Sequence, residues 1–367
     1  MKKLLLVLFL LGTFGVQAQT MTQEEQAAAI AQLTEEVNAL KTKVEKQDKW
    51  DKFLSKMPKV SGFVMGRYTY GDATGDENDL STFRLRRVRL SVSGDITKKL
   101  EYKFQAELTS FKLLDAYFDY KPFEQFKIKA GQFKVPFTIE NTDYTPTKMI
   151  LIDHPMILDR LELVPSGESM KSLGTAGREL GINLHGSFFG KKLQYDLAVF
   201  NGAGLNTTDN NKSKDIVARL RYQIFDGMTL SGSYYFGEYG KEYFDRDRWS
   251  VGGVYDKGHL LVRGEYIAAT TGFGGGYHRH SEGWYALGAW RFNDAWSVAA
   301  RYDTFTADQH WYTGTTQTNY TIGMAWKPIK YFRLQFNYVY EDNAFVDEYY
   351  YSHGARNNFI LQATASF

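Results

Sequence analysis

From residue 59 onward the chain is written almost entirely in segments of about ten residues in which apolar and polar side chains alternate. A period of two puts the apolar side chains of a strand on one face and the polar ones on the other. No run after residue 16 approaches the roughly 20 consecutive apolar residues that a membrane helix needs, so any span of a bilayer must be made of strands. The connections add order to the repeat. Tight ones fall at 95–98, 121–125, 189–191, 225–228, 256–259, 292–295 and 327–330, and between them lie mostly long polar ones such as 201–214 and 341–356. Short turns at one end and long loops at the other are what a closed membrane barrel requires and what a solvated sandwich has no reason to keep. Sixteen strands are expected, from Val60–Tyr70 and Ser81–Asp95 through to Arg356–Phe367. The fold class is all-β: a 16-stranded antiparallel transmembrane β-barrel over 59–367, preceded by an α-helical coiled-coil segment.

The stretch Ser81–Leu90, STFRLRRVRL, shows how the two faces are kept. Phe83 and Leu85 share one parity with Arg84 and Arg86 on the other, and then the phase slips by one. From Val88 on, Val88, Leu90 and Val92 are apolar, which leaves Arg87 and Arg89 on the polar side. A β-bulge near Arg86–Arg87 restores the faces and sends all four arginines the same way.

Aromatic residues make up 16% of the chain, and they recur at strand ends on the apolar parity: Tyr68, Tyr70, Tyr234, Phe236, Trp284, Trp290, Phe292, Trp296, Trp326 and Phe332. Two interfacial girdles are the expected result. The final segment ends on Phe367, an aromatic terminus of the kind the outer-membrane insertion machinery favours. The chain has no cysteine, which excludes disulfides, thiolate metal sites and a cysteine nucleophile.

Two segments precede the barrel. Lys2 and Lys3, the apolar block Leu4–Leu11 and the small residues around Val16–Ala18 read as a secretory signal peptide over 1–18. Residues 20–55 contain no Gly or Pro and are rich in Ala, Glu, Gln and Lys. Within them Ile30, Leu33, Val37, Leu40 and Val44 are spaced 3, 4, 3, 4, the seam of a coiled coil about two heptads long. This is read as an oligomerising stalk in the periplasm that depends on contacts elsewhere, the alternative being a single amphipathic helix lying on its own barrel. Without Lys2 and Lys3 the 44 basic residues become 42, equal to the 42 acidic ones, so bulk charge implies no nucleic-acid partner.

If the apolar parity meets lipid, the polar parity lines the lumen. The inward basic residues are then Arg67, Arg84, Arg86, Arg87, Arg89, Lys103, Lys127, Lys129, Arg219, Arg221, Arg263, Arg301 and Arg333. Glu101, Glu107, Asp115, Asp119, Glu179, Asp196, Asp215, Glu265 and Asp303 are the inward acids. The basic set is larger and concentrated on the second, fifth and eighth strands, which favours attraction of anions across a constriction. One external connection, 134–176, carries the apolar stretch MILIDHPMILDRLELV and is expected to fold into the lumen or against a neighbouring subunit. As the third external loop it is the constriction loop, and Lys134, nearest the wall, is its gate candidate.

Several pieces resemble one family. RLRRVRLSVSGD at 84–95, KLEYKFQAEL at 99–108, LLDAYFDYK at 113–121, IKAGQFKVPF at 128–137, RELGINLHG at 178–186 and LAVFNGAGLN at 197–206 are similar to the phosphate-selective porins of the O and P type. The resemblance implies a trimeric sixteen-stranded porin in the outer membrane of a Gram-negative bacterium, conducting small anions such as phosphate through a basic pore without any cofactor. It places the pore role on Arg84, Arg86, Arg87, Arg89, Lys129 and Lys134, with Arg178 beside them. Arg219 and Arg221 join the pore-lining anion-binding set by their inward parity. Two features depart from the family's founding members: the stalk, and the closeness of Asp115 and Asp119 to the basic wall.

A general, carbohydrate or carboxylate porin is the nearest alternative, though the inward parity holds few aromatics for a sugar slide. An outer-membrane barrel enzyme using His185 and Ser187 is a remote one. His278 and His280 beside GFGGG suggest a metal pair less well than a flexible loop tip, and no metal site and no catalytic residue are expected.

Overall fold

The computed structural model describes residues 22–72, 80–161, 177–209, 211–306, 316–343 and 354–367. The expected signal peptide, 1–18, and the first residues of the stalk lie outside them. The chain divides into two units at Met57–Pro58. The first holds one helix, α1 (Gln23–Lys56), built from strong helix formers, with Pro58 two residues past its end, where it cannot continue the helix. Its seam residues Val37, Leu40 and Val44 are exposed within the single chain.

The second unit is a closed barrel of sixteen antiparallel strands in chain order. They are β1 (Lys59–Gly71), β2 (Leu80–Thr97), β3 (Leu100–Glu107), β4 (Lys112–Tyr120), β5 (Lys127–Lys134), β6 (Arg178–Phe188), β7 (Leu193–Phe200) and β8 (Asp215–Phe225). The second half comprises β9 (Met228–Tyr239), β10 (Phe244–Lys257), β11 (Leu260–Phe273), β12 (Tyr277–Arg291), β13 (Trp296–Thr306), β14 (Thr316–Ile329), β15 (Phe332–Asp342) and β16 (Arg356–Ser366). β1 pairs with β16 from Phe63–Ser366 to Gly71–Asn358, and Phe367 exchanges two backbone hydrogen bonds with Gly62 (3.0 and 3.1 Å). Closure leaves no unpaired strand edge, the condition for backbone at bilayer depth. The longest connections, after β1, β5, β7, β13 and β15, all lie at the end opposite the tight turns.

The two parities separate as the alternation requires. Outward side chains are apolar and bare, with Phe83 81% and Ile322 64% exposed, while inward arginines such as Arg67 and Arg263 are buried at 4% and 1%. A band of exposed apolar side chains around the whole wall is stable only in an apolar surrounding. Aromatics close the band at both ends. Trp296 and Trp326 stack at 5.7 Å near the tight turns, and Trp284, Tyr302, Tyr320 and Tyr340 form a chain at 4.9, 5.2 and 6.1 Å near the long loops.

The described part of the apolar third loop, as far as Leu161, folds into the lumen, the first of the two placements expected for it; 162–176 lie outside the described residues. It carries α2 (Ile139–Asp143) and α3 (Met156–Leu161). Phe137, Leu151, Met156, Ile157, Leu158 and Leu161 pack with inward Phe133, Phe200, Tyr235, Ile267, Tyr285, Leu287 and Phe305 in one buried cluster. Room for the loop comes from small residues on the wall. A Cβ at Gly283 would run into Ile157 and the Thr304 carbonyl, and one at Gly323 would run into Leu151 and Asn337.

Candidate pore and constriction

The bulge in β2 decides where the arginines go. Met65 of β1 faces Arg87 and the next residue, Gly66, faces Leu85, so Arg86 is the unmatched residue and the phase slips there, as the sequence pattern requires. Arg84 then lies opposite inward Arg67, Arg87 opposite buried Met65, and Arg89 opposite Phe63.

The eight candidate residues divide by what they touch. Arg89 donates from Nε to Glu107 at 2.9 Å and lies over the Phe63 ring. Arg219 grips Asp143 of the loop through both terminal nitrogens, at 2.8 and 3.2 Å, and Arg221 lies 3.3 Å from the same carboxylate. Lys134 donates to the carbonyls of Asn141 and Tyr144, so it ties down the start of the loop rather than standing free in the pore. Lys129 stands 4.0 Å from Asp119 and over the Tyr117 and Phe133 rings at 5.0 and 5.6 Å. Arg84, Arg86 and Arg87 form no ion pair and no side-chain hydrogen bond with any described residue, and Nε of Arg86 is buried without a partner. Adjacent cations without a direct ion pair are costly where they are buried, as Arg87 is, since a buried charge is normally paired.

The loop is held to the wall by charge at many points. Arg67 forks onto Asp153 at 2.7 and 3.0 Å, and Arg263 lies 2.5 Å from Glu140 and over the Tyr144 ring. Asp303 accepts from the Met156 amide at 2.8 Å and Glu265 from the Ile139 amide at 2.9 Å. Arg333 and Gln335 donate to loop carbonyls between Pro146 and Ile150. These anchors lie on β1, β11, β13 and β15, with Arg219 on β8. The loop therefore spans the lumen, and its opposite faces line two cavities. The one toward the long loops, about 480 Å³, is lined by Arg67, Arg84, Asp153, Asp159, Arg301 and Arg356, among others. The one toward the tight turns, about 540 Å³, is lined by Arg89, Lys103, Asp115, Lys129, Lys134 and Arg178.

Titratable groups of the loop feel the arginines. Burial alone would raise the Asp153 carboxyl, but Arg67, with Arg86 and Arg87 beyond it, holds it well below the ordinary carboxylate range. Burial, reinforced by Arg87 and Lys134, pushes the His154 imidazole well below its ordinary value and keeps it neutral. Burial and the neighbouring Asp153 push Asp159 up to about 7, against the pull of Arg86, Arg87 and Arg301.

Asp115 and Asp119 do sit in the basic wall. Asp115 pairs with Lys103 at 2.6 Å and with Arg178 at 2.5 Å, and Asp119 takes His185 at 2.9 Å. His185 is thus spoken for, and Ser187 donates to Glu124 at 3.2 Å, so the two do not form a nucleophile and its base. His278 approaches Asp245 at 3.5 Å and His280 meets Thr270 at 3.0 Å. No group of three or more His, Asp or Glu able to hold a metal exists among the described residues. Missing from the sequence tally of the lumen are Arg246, Arg248 and Arg356. Arg246 and Arg248 alternate with outward Trp249 and Val251 on β10, a parity signal that was open to reading.

A family model described as phosphate-selective porin O and P matches residues 64–232 and 227–344. Among solved structures, an anion-selective porin from Comamonas acidovorans aligns with a TM-score of 0.67 at 14% identity, over 84% of this chain and 99% of that one. OmpF of Salmonella typhi in complex with daunomycin aligns at 0.62 with 13% identity, over 85% and 98% of the two chains. The outer-membrane channel DcaP of Acinetobacter baumannii aligns at 0.59 with 12% identity, over 84% and 97%. At these identities the likeness is one of fold. No curated protein matches the sequence.

Proposed function

The chain belongs to the phosphate-selective porin O and P family and forms an outer-membrane porin channel, and from that premise we propose that it passes small anions, phosphate among them, by passive diffusion. The observation that carries this reading is the set Arg84, Arg86 and Arg87, three cations on one strand of the lumen wall with no direct ion pair among the described residues and with the Asp153 carboxylate, held by Arg67, near them. An anion entering from the long-loop side meets Arg84 in the first cavity. It passes Arg86 and Arg87 beside the loop, then enters the second cavity among Arg89, Lys103, Arg178 and Lys129. Guanidinium forks suit tetrahedral oxyanions, which take two parallel hydrogen bonds. In the second cavity every one of those cations has a carboxylate nearby, Glu107, Asp115 or Asp119, so attraction weakens along the path. Conduction requires that falling hold, because an ion gripped too firmly does not leave.

On the same reading residues 1–18 are removed on export, α1 stands in the periplasm as a short coiled coil, and three barrels assemble side by side. The exposed seam Val37, Leu40, Val44 supports the coiled coil. The trimer rests on the family resemblance.

The test is the reversal potential across a planar bilayer in a KCl gradient. Chloride selectivity is expected for the parent, with chloride current blocked by phosphate. Arg84, Arg86 and Arg87 changed together to Gln abolish both, whereas Arg219→Gln with Arg221→Gln largely keeps them. A parent that prefers potassium, or a triple variant unchanged in selectivity, overturns the reading in favour of a general or sugar porin.

A further inference from the structure

Asp153 occupies the place in the arginine cluster where a permeating anion's charge would sit. Its two carboxylate oxygens take both terminal nitrogens of Arg67, at 2.7 and 3.0 Å, the same fork that grips an oxyanion. Gln362 takes what remains of that guanidinium, at 3.0 and 3.3 Å. The two partners differ in exposure: the Arg67 side chain is 3% exposed and that of Asp153 34%, so the carboxylate is the half of the pair that looks into the cavity shared with Arg84.

The main chain that carries Asp153 is fixed independently of this pair. Its own carbonyl accepts from Arg301 at 2.8 Å, the Met156 amide is held by Asp303, and the Ile150 carbonyl is held by Gln335 at 3.0 Å. Leu151 and Ile152, immediately before it, are 2% exposed in the packed lumen. The segment keeps these other anchors when the carboxylate is lost.

We infer that Asp153 is a specificity-determining residue of the pore, a tethered counter-anion that competes with the permeating anion for Arg67, Arg84, Arg86 and Arg87. With it the cluster carries three net positive charges, and without it four. The tether fills one fork permanently and leaves the others able to take an anion only loosely, which favours transit over retention. The inference rests on the anion-channel reading above and says which residue tunes it.

The experiment measures block of single-channel chloride current by inorganic phosphate for the parent, Asp153→Asn and Asp153→Glu, with conductance at high salt recorded for each. The expected result is a half-blocking phosphate concentration at least about fivefold lower for Asp153→Asn, the effect of one unit charge at about 4 Å even in water. High-salt conductance stays at the parent value and Asp153→Glu restores the parent's block. An anion-selective parent whose Asp153→Asn variant is blocked no more readily overturns this inference alone. A variant with raised high-salt conductance and lost selectivity makes Asp153 a loop anchor and overturns it as well. A parent with no anion preference removes both this inference and the reading on which it rests.

Discussion

Arg219 on β8 and Asp143 on the lumen loop are joined by two hydrogen bonds, at 2.8 and 3.2 Å, across 76 residues of sequence. The Arg219 side chain is 1% exposed and that of Asp143 19%, so this is a wall cation spent on holding the loop. Arg219→Gln removes charge-assisted hydrogen bonds worth about 1.5–3 kcal/mol in all, discounted for the partial exposure of Asp143 and for Arg221, which still reaches it. The expected outcome is a noisier and somewhat larger single-channel conductance with the ion preference kept. Loss of ion preference without added noise would instead make Arg219 part of the anion path.

Deleting Arg86 should be tolerated by the fold. It is the unmatched residue of the bulge, so its removal lets Leu85 and Arg87 follow one another opposite Gly66 and Met65 with both faces intact. The deletion variant is expected to insert as a heat-modifiable barrel on gel electrophoresis and to lose part of its anion preference. Deleting Val88 instead, with the bulge likewise ironed out, would put Arg87 opposite Val64 on the lipid face, and that variant should insert poorly. Equal behaviour of the two would show that pairing register here is not set by the alternation.

Anion preference should fall as pH rises from about 6 to 8. Burial and Asp153 raise Asp159 to about 7, so it is neutral below that pH and charged above it. The groups around it are Asp153, Arg86, Arg87 and Arg301, with Arg67, Arg84, His154, Arg160, Glu341 and Arg356 lining the same cavity. Asp153 remains ionised and His154 neutral across this range, which leaves Asp159 to change the charge of the loop. Reversal potentials recorded at both ends of the range should differ for the parent and coincide for Asp159→Asn. A pH dependence that survives in the variant assigns the titration to another group.

Removal of residues 20–55 should leave the channel conducting, because the barrel closes on itself through β1 and β16 without that segment. If α1 is a stalk between copies, the truncated protein keeps its single-channel conductance but its oligomer dissociates at lower temperature or detergent load. About two heptads contribute too little to hold copies together unaided, so the shift is expected to be partial. An oligomer of unchanged stability assigns α1 some other role.

Strand number, strand order and the bulge are all legible in the sequence, and for one reason. The lipid and lumen faces impose opposite chemistry on alternate residues, so each strand records its own orientation, and a slip of phase at Arg86–Arg87 records a bulge. The ends of elements are less legible: the second strand is Leu80–Thr97 where Ser81–Asp95 is expected, because it stays paired with the third as far as Thr97. The inward fold of the third loop was half legible. MILIDHPMIL declared that it needed an apolar partner, but the partner, inward Ile267, Tyr285, Leu287 and Phe305, is scattered over three strands.

The alternating pattern by itself determined a closed sixteen-stranded barrel with an arginine-rich wall, since face selection is local and repeats every two residues. Only the tertiary structure decided which arginines remain available. Arg87 and Arg89 read alike in sequence, two residues apart on one face, yet Arg89 is hydrogen-bonded to Glu107 while Arg87 forms no direct ion pair with a described residue. Arg67 and Arg219 lost their freedom to Asp153 and Asp143, carboxylates 86 and 76 residues away on a loop whose path depends on packing. Charge pairing acts over a few ångströms in space, and no periodicity along the chain reports which distant carboxylate a folded loop will bring to a given guanidinium.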